Sequence, residues 1–468
     1  MFELKARCKS TALAALAVSV LCSSSVIAAE NRNVILIIGD GMDSHQITAA
    51  RNYLVGAQKT LLLDSLPVTA MVQVQAVDDS NPTKSLYVSD SANSATTLAT
   101  GIITSPGRIA TSAGDDKDLQ TIAEQVKSAG FGVGIVSTAS VTDATPASFI
   151  SHISLRFCEN PGMMENAEAL GGVIVDCSDD LKARGGLGSI AEQIADNDWD
   201  IVLGGGAKHF EVVAEGQQEQ TVFEQAQANA YQIVTTAEGL QNMTGDKVLG
   251  LFGPSTLPVR WQGTDGRKAE APEPSILRRI DWRLGSVSLP DTMKCEDNPQ
   301  YGATPSLKVM TEAALSHLGQ QQSRGFFLMI ESASIDKQSH LRNPCGSIGE
   351  LQQLEESLQS ALLFTKDNPN TLIIVTADHG QAAQIIPETS SYNAFGVAVY
   401  TPGHIARIET PEGSIMGINY ATNDFFLEEH TGTDVSLFAN AQARGMFSGH
   451  TSQAGIYRAI NRFLLDPQ

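Results

Sequence analysis

Seven short runs of aliphatic and β-branched residues recur along this 468-residue chain, and stretches of helical periodicity lie between them. The runs are Val34–Ile38, Ala70–Val74, Gly132–Ser137, Asp200–Leu203, Lys247–Phe252, Phe326–Ile330 and Thr371–Thr376. Helical patterns cover Leu119–Ala129, Ile190–Asp196, Leu307–Leu318, Leu351–Leu362 and Ala454–Leu465. Strands that alternate with helices predict an α/β fold, a mainly parallel central sheet flanked by helices on both faces. In such sheets ligands gather at the carboxyl ends of the strands, so the residues just after each run carry the functional expectation. Two stretches break the rhythm. Residues 253–304, rich in proline, glycine and charge, predict a long surface excursion held by Cys295, and residues 384–426 predict a small cap beside the sheet. The expected organisation is a leader over 1–29 and a single domain over 30–468 carrying those two insertions.

The leader reading rests on Lys5, Arg7 and Lys9 before the apolar run Ala12 to Cys22, with small residues Ala28 and Ala29 preceding Glu30. That three-part build is a secretory signal peptide, and its apolar run is too short to span a bilayer. Export to the periplasm or beyond follows. Removing the leader removes Cys8 and Cys22 and leaves Cys158, Cys177, Cys295 and Cys345. An even count in an exported chain reads as two disulfides, with four buried thiols as the alternative. Of the three possible pairings, proximity in sequence favours Cys158 with Cys177 and Cys295 with Cys345. The 52 acidic residues against 31 basic ones, a net charge of −21, argue against a nucleic-acid scaffold or docking on an anionic membrane. No later stretch is long and apolar enough to predict a membrane span.

Three strand ends carry metal-type chemistry. Val34–Ile38 leads into Gly39-Asp40-Gly41-Met42, Phe326–Ile330 leads into Glu331, and Thr371–Thr376 leads into Ala377-Asp378-His379-Gly380. Asp336 and His340, four apart, share one face if their segment is helical. With His430 they would form one open zinc site, and Asp40, Asp378 and His379 a second. Ser91, at the start of an alanine-rich helical run ending at Gly101, sits where a helix N-terminus favours an anion or an alkoxide. A plain N-cap role is the alternative for Ser91, with Asp90 and Ser94 as competing caps.

These residues fall into motifs. Gly39-Asp40-Gly41-Met42, Asp90-Ser91-Ala92-x-Ser94-Ala95-Thr96, Asp143-Ala144-Thr145-Pro146 and Glu331-x-Ala333-Ser334-Ile335-Asp336-Lys337-Gln338-x-His340 come first. Thr376-Ala377-Asp378-His379 and Glu429-His430-Thr431-Gly432 follow. In this order, spanning residues 33 to about 465, they resemble the bacterial alkaline phosphatases. The resemblance implies a three-layer sandwich and a broad-specificity phosphomonoesterase acting on small phosphate monoesters through a phosphoserine at Ser91. It implies two zinc ions, one at Asp336, His340 and His430 and one at Asp40, Asp378 and His379 with Ser91 as a further ligand. It also implies one magnesium ion that shares Asp40 and adds Thr145 and Glu331, an all-oxygen set that suits it.

By the same resemblance Arg156 grips two phosphate oxygens, Asp143 orients magnesium-bound water, and Lys337 reaches phosphate through water, with a solvated surface ion pair as the alternative for the last two. Cys345, after Asn343-Pro344, falls where these enzymes close a disulfide. A homodimer is implied too, although Glu30–Gly39 leaves no room for a long N-terminal arm. Gln381 stands where many relatives place a histidine, which predicts the loss of any tuning by that residue. His450 competes with His430 as a ligand, and the match of Glu429, Thr431 and Gly432 favours His430. Gly204-Gly205-Gly206-Ala207-Lys208 lacks P-loop spacing and reads as a structural turn. Phosphodiester hydrolysis and a catalytically silent exported metal- or phosphate-binding protein are the competing functions; a serine at position 91 with Arg156 favours monoesters.

Overall fold

The computed structural model describes Met1 and residues 31–168, 172, 174–321, 324–396 and 399–466. Apart from Met1, the predicted leader, with Cys8 and Cys22, lies outside the described residues. From Asn31 onward the chain forms one compact unit.

The strand Asn33–Gly39 is buried along its whole length, the pattern of a strand covered on both faces. It lies near the middle of a ten-stranded sheet. In spatial order the strands are Gly449–Ser452, Val68–Gln73, Val435–Ala439, Thr371–Ala377, Asn33–Gly39, Phe326–Ser332, Gly132–Ser140, Ile201–Gly205, Lys247–Leu251 and Tyr231–Val234. Val435–Ala439 runs antiparallel to both neighbours, and every other pairing is parallel. All seven predicted strands are present. The three that sequence periodicity missed are short, and Gly449–Ser452 holds no apolar residue at all, so hydropathy could not signal it.

Helices cover the sheet in two groups. Ser44–Leu54, Leu307–Gln321, Ser334–His340 and Pro344–Phe364 pack with one another, and Ser91–Thr100, Ile122–Ser128, Ala144–Ile150 and Gln453–Leu465 form the other layer. Pro344–Phe364 begins seven residues ahead of the predicted Leu351. Asn343 caps it by accepting from the Gly346 N–H at 3.3 Å, and Pro344 takes the first-turn position where its missing N–H costs nothing. Both favoured disulfides form, Cys158–Cys177 and Cys295–Cys345.

The two insertions are not separate features. Thr292–Met293 from the first pairs in parallel with His404–Glu409 from the second, completing a four-stranded sheet with Ile415–Tyr420 and Gln384–Ile386. Glu270 adds a bridge to Ile405. The expected excursion and cap therefore fold as one small layer, tied to the main body by Cys295–Cys345.

Register positions the site. Ile38 sits beside Glu331 on one side and Thr376 on the other, so Asp40, Glu331 and Asp378 emerge together at one edge of the sheet. Ile37, fully buried in the central strand, holds that edge from below. Ile37→Ala should cost about 2–5 kcal/mol of stability through lost burial and a residual cavity, read as a lower urea midpoint with an unchanged slope.

Candidate active site

Each strand end delivers its side chain into a buried, polar hollow. Asp40, Glu331, Asp336, Asp378 and His379 are all nearly inaccessible to solvent. Gly41 makes the crowding possible. It has φ of 63°, its N–H donates to Asp378 Oδ1 at 3.0 Å, and a Cβ there would lie 3.1 Å from the Asp336 Cβ.

Two clusters result. His340 Nε2 lies 3.2 Å from Asp336 Oδ2, His430 Nε2 lies 3.4 Å from Asp336 Oδ1, and the two ring nitrogens are 3.1 Å apart. In the second, His379 Nε2 lies 3.3 Å from Asp40 Oδ1 and 3.5 Å from Asp378 Oδ2. The rings of His379 and His430 stack with centroids 3.7 Å apart, so the clusters adjoin. His450 is elsewhere, exposed and paired with Asp434 at 3.2 Å.

Ser91 is the first residue of its helix and not its cap. Asp90 is the cap, accepting from the Asn93 N–H at 2.9 Å, and Asn93 answers by accepting from the Asp90 N–H. Ser91 Oγ is thereby free to face the metal-type residues, 3.1 Å from His379 Nε2 and 3.5 Å from Asp40 Oδ1. Asp90 does more than cap, a role the sequence did not disclose. Its Oδ2 accepts from the Gly107 N–H at 3.0 Å and from Arg156 Nη1 at 3.2 Å.

Arg156 is braced on its other side by Asp143 Oδ1 at 3.1 Å, while Lys337 Nζ donates to Asp143 Oδ2 at 2.5 Å. Burial disfavours every charge here. Lys337 and Arg156 outweigh it and hold the Asp143 carboxyl well below the usual carboxylate range, and Asp90 with Asp143 keeps the Arg156 guanidinium fully protonated. The Arg156 loop is fixed by Ser154, whose N–H and hydroxyl donate to Asp180, and by the disulfide at Cys158. Asp143 and Lys337 thus form a partly exposed ion pair that shares its carboxylate with Arg156.

Burial, then the charges of Asp378 and Asp336, push Asp40 up to about 7. Burial and Asp40 push Glu331 up to about 8. Burial works against the Asp336 carboxylate, but His340 and His430 outweigh it and hold the group well below its ordinary range. Burial also opposes the His379 imidazolium, yet Asp378 and Asp40 raise it to about 10. Thr145 Oγ1 and Asp378 Oδ2 are buried with no hydrogen-bond partner. Like charges held together beside unpaired oxygens are what a site for divalent cations looks like from the protein side, so the donor set fits metal ions.

The contacts of two further residues were not legible in the sequence. Ser137, beside Glu331 in the sheet register, donates its hydroxyl to Glu331 Oε2. Gln381 does not simply vacate a histidine's position. Its Nε2 donates to Asp336 Oδ1 at 2.5 Å, and its N–H donates to Asp43 Oδ2 at 3.2 Å. The glycine turn at 204–206 is structural, its following N–H groups from Gly206 and Ala207 being spent on the Gly253 carbonyl at 2.9 and 3.0 Å.

Comparison with known proteins agrees with this layout. A family model described as alkaline phosphatase matches residues 31–425. The alkaline phosphatase of Escherichia fergusonii is 39% identical across 92% of this chain and 86% of its own length. A streptomycin-6-phosphate phosphatase of Streptomyces griseus is 37% identical across 92% of this chain and 90% of its own. The solved alkaline phosphatase of Thermus thermophilus shares the fold with a TM-score of 0.65 at 20% identity, covering 96% of each chain. That of the Antarctic bacterium TAB5 does so at 0.64 and 20%, covering 94% of this chain and 100% of that one. The class is that of metal-binding phosphoric monoester hydrolases. Within it, the chain belongs to the alkaline phosphatase family.

Without cations this hollow should weaken the fold as it deprotonates. Asp40 near 7 and Glu331 near 8 stand above their ordinary 3.8 and 4.5, and His379 near 10 stands above 6.5. The folded chain therefore binds more protons than the unfolded one from about pH 4 to 10, and its stability falls as pH rises through that window. Melting temperatures of chelator-treated protein from pH 5 to 9 should decline, and the decline should shrink once divalent cations are restored.

Proposed function

We propose that this chain is an exported alkaline phosphatase of broad specificity that cleaves phosphate monoesters through a phosphoserine at Ser91. The observation that carries the reading is the placement of the Ser91 hydroxyl, 3.1 Å from His379 at the junction of two carboxylate–histidine clusters, beside a braced arginine. Asp336, His340 and His430 would hold one zinc ion, and Asp40, Asp378 and His379, with Ser91, a second. Asp40, Thr145 and Glu331 would hold magnesium, an all-oxygen set that suits it. When bound, such cations supply Lewis-acid charge that favours the Ser91 alkoxide and offsets charge on the phosphoryl and leaving oxygens.

The chain's own groups do the rest. Ser91 Oγ, at a helix N-terminus that favours negative charge, attacks phosphorus; the Oγ–P bond forms as the ester P–O bond breaks and the alcohol departs. Water then attacks the phosphoserine, releasing phosphate and restoring the hydroxyl. Arg156 turns its planar fork to two phosphoryl oxygens, and its orientation is set in advance by Asp90 and Asp143, so no ordering remains to be done as charge develops. Lys337 adds positive charge at the same edge, held by Asp143. Two disulfides favour an oxidising compartment, and no helix among the described residues is long and apolar enough to cross a membrane, which supports a periplasmic or secreted enzyme. We include a homodimer in the proposal, as the resemblance implies.

The deciding measurement is hydrolysis of a chromogenic phosphate monoester against the matching diester at alkaline pH, before and after chelation and refilling with zinc and magnesium. Fast monoester cleavage, lost with the metals and restored by both, is expected. Ser91→Ala should lower kcat about a thousandfold or more by removing the nucleophile. Arg156→Ala should lower kcat/KM by roughly 10- to 100-fold, the worth of a charged hydrogen-bond pair. Diester preference, or full activity in Ser91→Ala, would overturn the proposal.

A further inference from the structure

Behind His340 and His430 lies a buried ion pair that the chemistry itself does not use. The helix Ser334–His340 ends at His340, and Arg342 follows two residues later with φ of 60°. That left-handed conformation just past a helix end favours glycine, and an arginine keeps it only where its surroundings hold it. The Arg342 carbonyl accepts from the Ala269 N–H at 2.9 Å. Its Nε donates to Glu428 Oε1 at 2.6 Å, and its Nη2 donates to the Phe425 carbonyl. The Glu428 side chain is wholly buried, and its other oxygen accepts from the Thr422 N–H at 2.8 Å and hydroxyl at 2.7 Å. The pair therefore pins both ends of the loop 422–428.

That loop delivers His430 and is also bonded to His340. The Glu428 carbonyl accepts from His340 Nδ1, and the Glu428 N–H donates to the His340 carbonyl at 3.0 Å. His430 Nδ1 lies 2.8 Å from the Ser89 carbonyl, so both rings are anchored at Nδ1 and turn Nε2 toward Asp336. A carbonyl at the far ring nitrogen fixes tautomer and orientation, as expected of metal-ligating histidines.

We infer that Arg342 and Glu428 form a positioning clamp, which sets how His340 and His430 face Asp336 and hence how tightly that cluster holds its metal ion. The inference rests on the reading above that these three residues are metal ligands. Losing one partner leaves a buried charge unpaired, and the strain falls on the Glu428 backbone that orients the His340 ring. Both residues act through the backbone that carries the two histidines, so the signature is metal retention and ligand geometry, with turnover of the fully loaded enzyme following behind.

The test measures zinc affinity of the full chain by competition with a chromogenic chelator, together with the visible spectrum of the cobalt-substituted protein. Arg342→Met and Glu428→Gln should keep the parent's metal stoichiometry but weaken zinc binding at one site by about 10- to 100-fold and shift the cobalt bands. The double variant should be no worse than the more impaired single one, since both remove one interaction. Arg342→Lys, which keeps the charge without the fork, should fall between parent and Arg342→Met. His340→Ala should lose one ion outright. Arg260→Met, which breaks a comparable pair with Glu356 at 2.7 Å elsewhere in the fold, should lower the melting temperature and leave zinc affinity unchanged.

Parent-like affinity and spectrum in Arg342→Met and Glu428→Gln would overturn the clamp, as would an equal loss of affinity in Arg260→Met. Undiminished stoichiometry in His340→Ala would instead overturn the ligand reading. If Arg342→Met does not fold, the near-isosteric Glu428→Gln decides.

Discussion

Everything at this site depends on negative charges that repel one another being held together by a sheet that cannot let them part. Parallel pairing on both sides of Asn33–Gly39 fixes three strand ends in register, and the carboxyl groups of Asp40, Glu331 and Asp378 follow from that register. The strands that impose it are buried along their whole length and mostly aliphatic or aromatic, so the cost of crowding the charges is met by the largest part of the core. The buried oxygens of Thr145 and Asp378 that lack a hydrogen-bond partner belong to the same arrangement. A pocket built to bind cations tightly has to be unfavourable without them.

Around that hollow the positive groups are held just as firmly. Asp90 and Asp143 hold Arg156 from two sides, and Lys337 shares Asp143. Asp90 links three tasks in one side chain. It caps the helix that carries Ser91, ties down Gly107, and orients the guanidinium. Ser91 and Arg156 are consequently tied to one another through a single carboxylate.

The sheet and the site were legible in the sequence to different depths. Long apolar runs announced the central strands, because a strand covered on both faces needs no polar alternation. Short or polar edge strands such as Gly449–Ser452 take their form from a neighbour's backbone, and nothing in their own residues signals it. Side chains at strand ends, from Asp40 to His379, could be read because metal-type residues stood immediately after predicted strands. Contacts that depend on two distant segments meeting could not. The Gln381 amide meets Asp336 across 45 residues, and Asp90 meets Arg156 across 66.

The layer formed by the two insertions has an implication for how such a chain can vary. Thr292–Met293 lies at the outer edge of a sheet whose remaining strands come from more than ninety residues further along. Trimming the first insertion would strip His404–Glu409 of a partner, and trimming the second would leave Thr292–Met293 with no sheet to join. An open strand edge invites pairing with other molecules. A change of length in either segment therefore alters an edge that belongs to both.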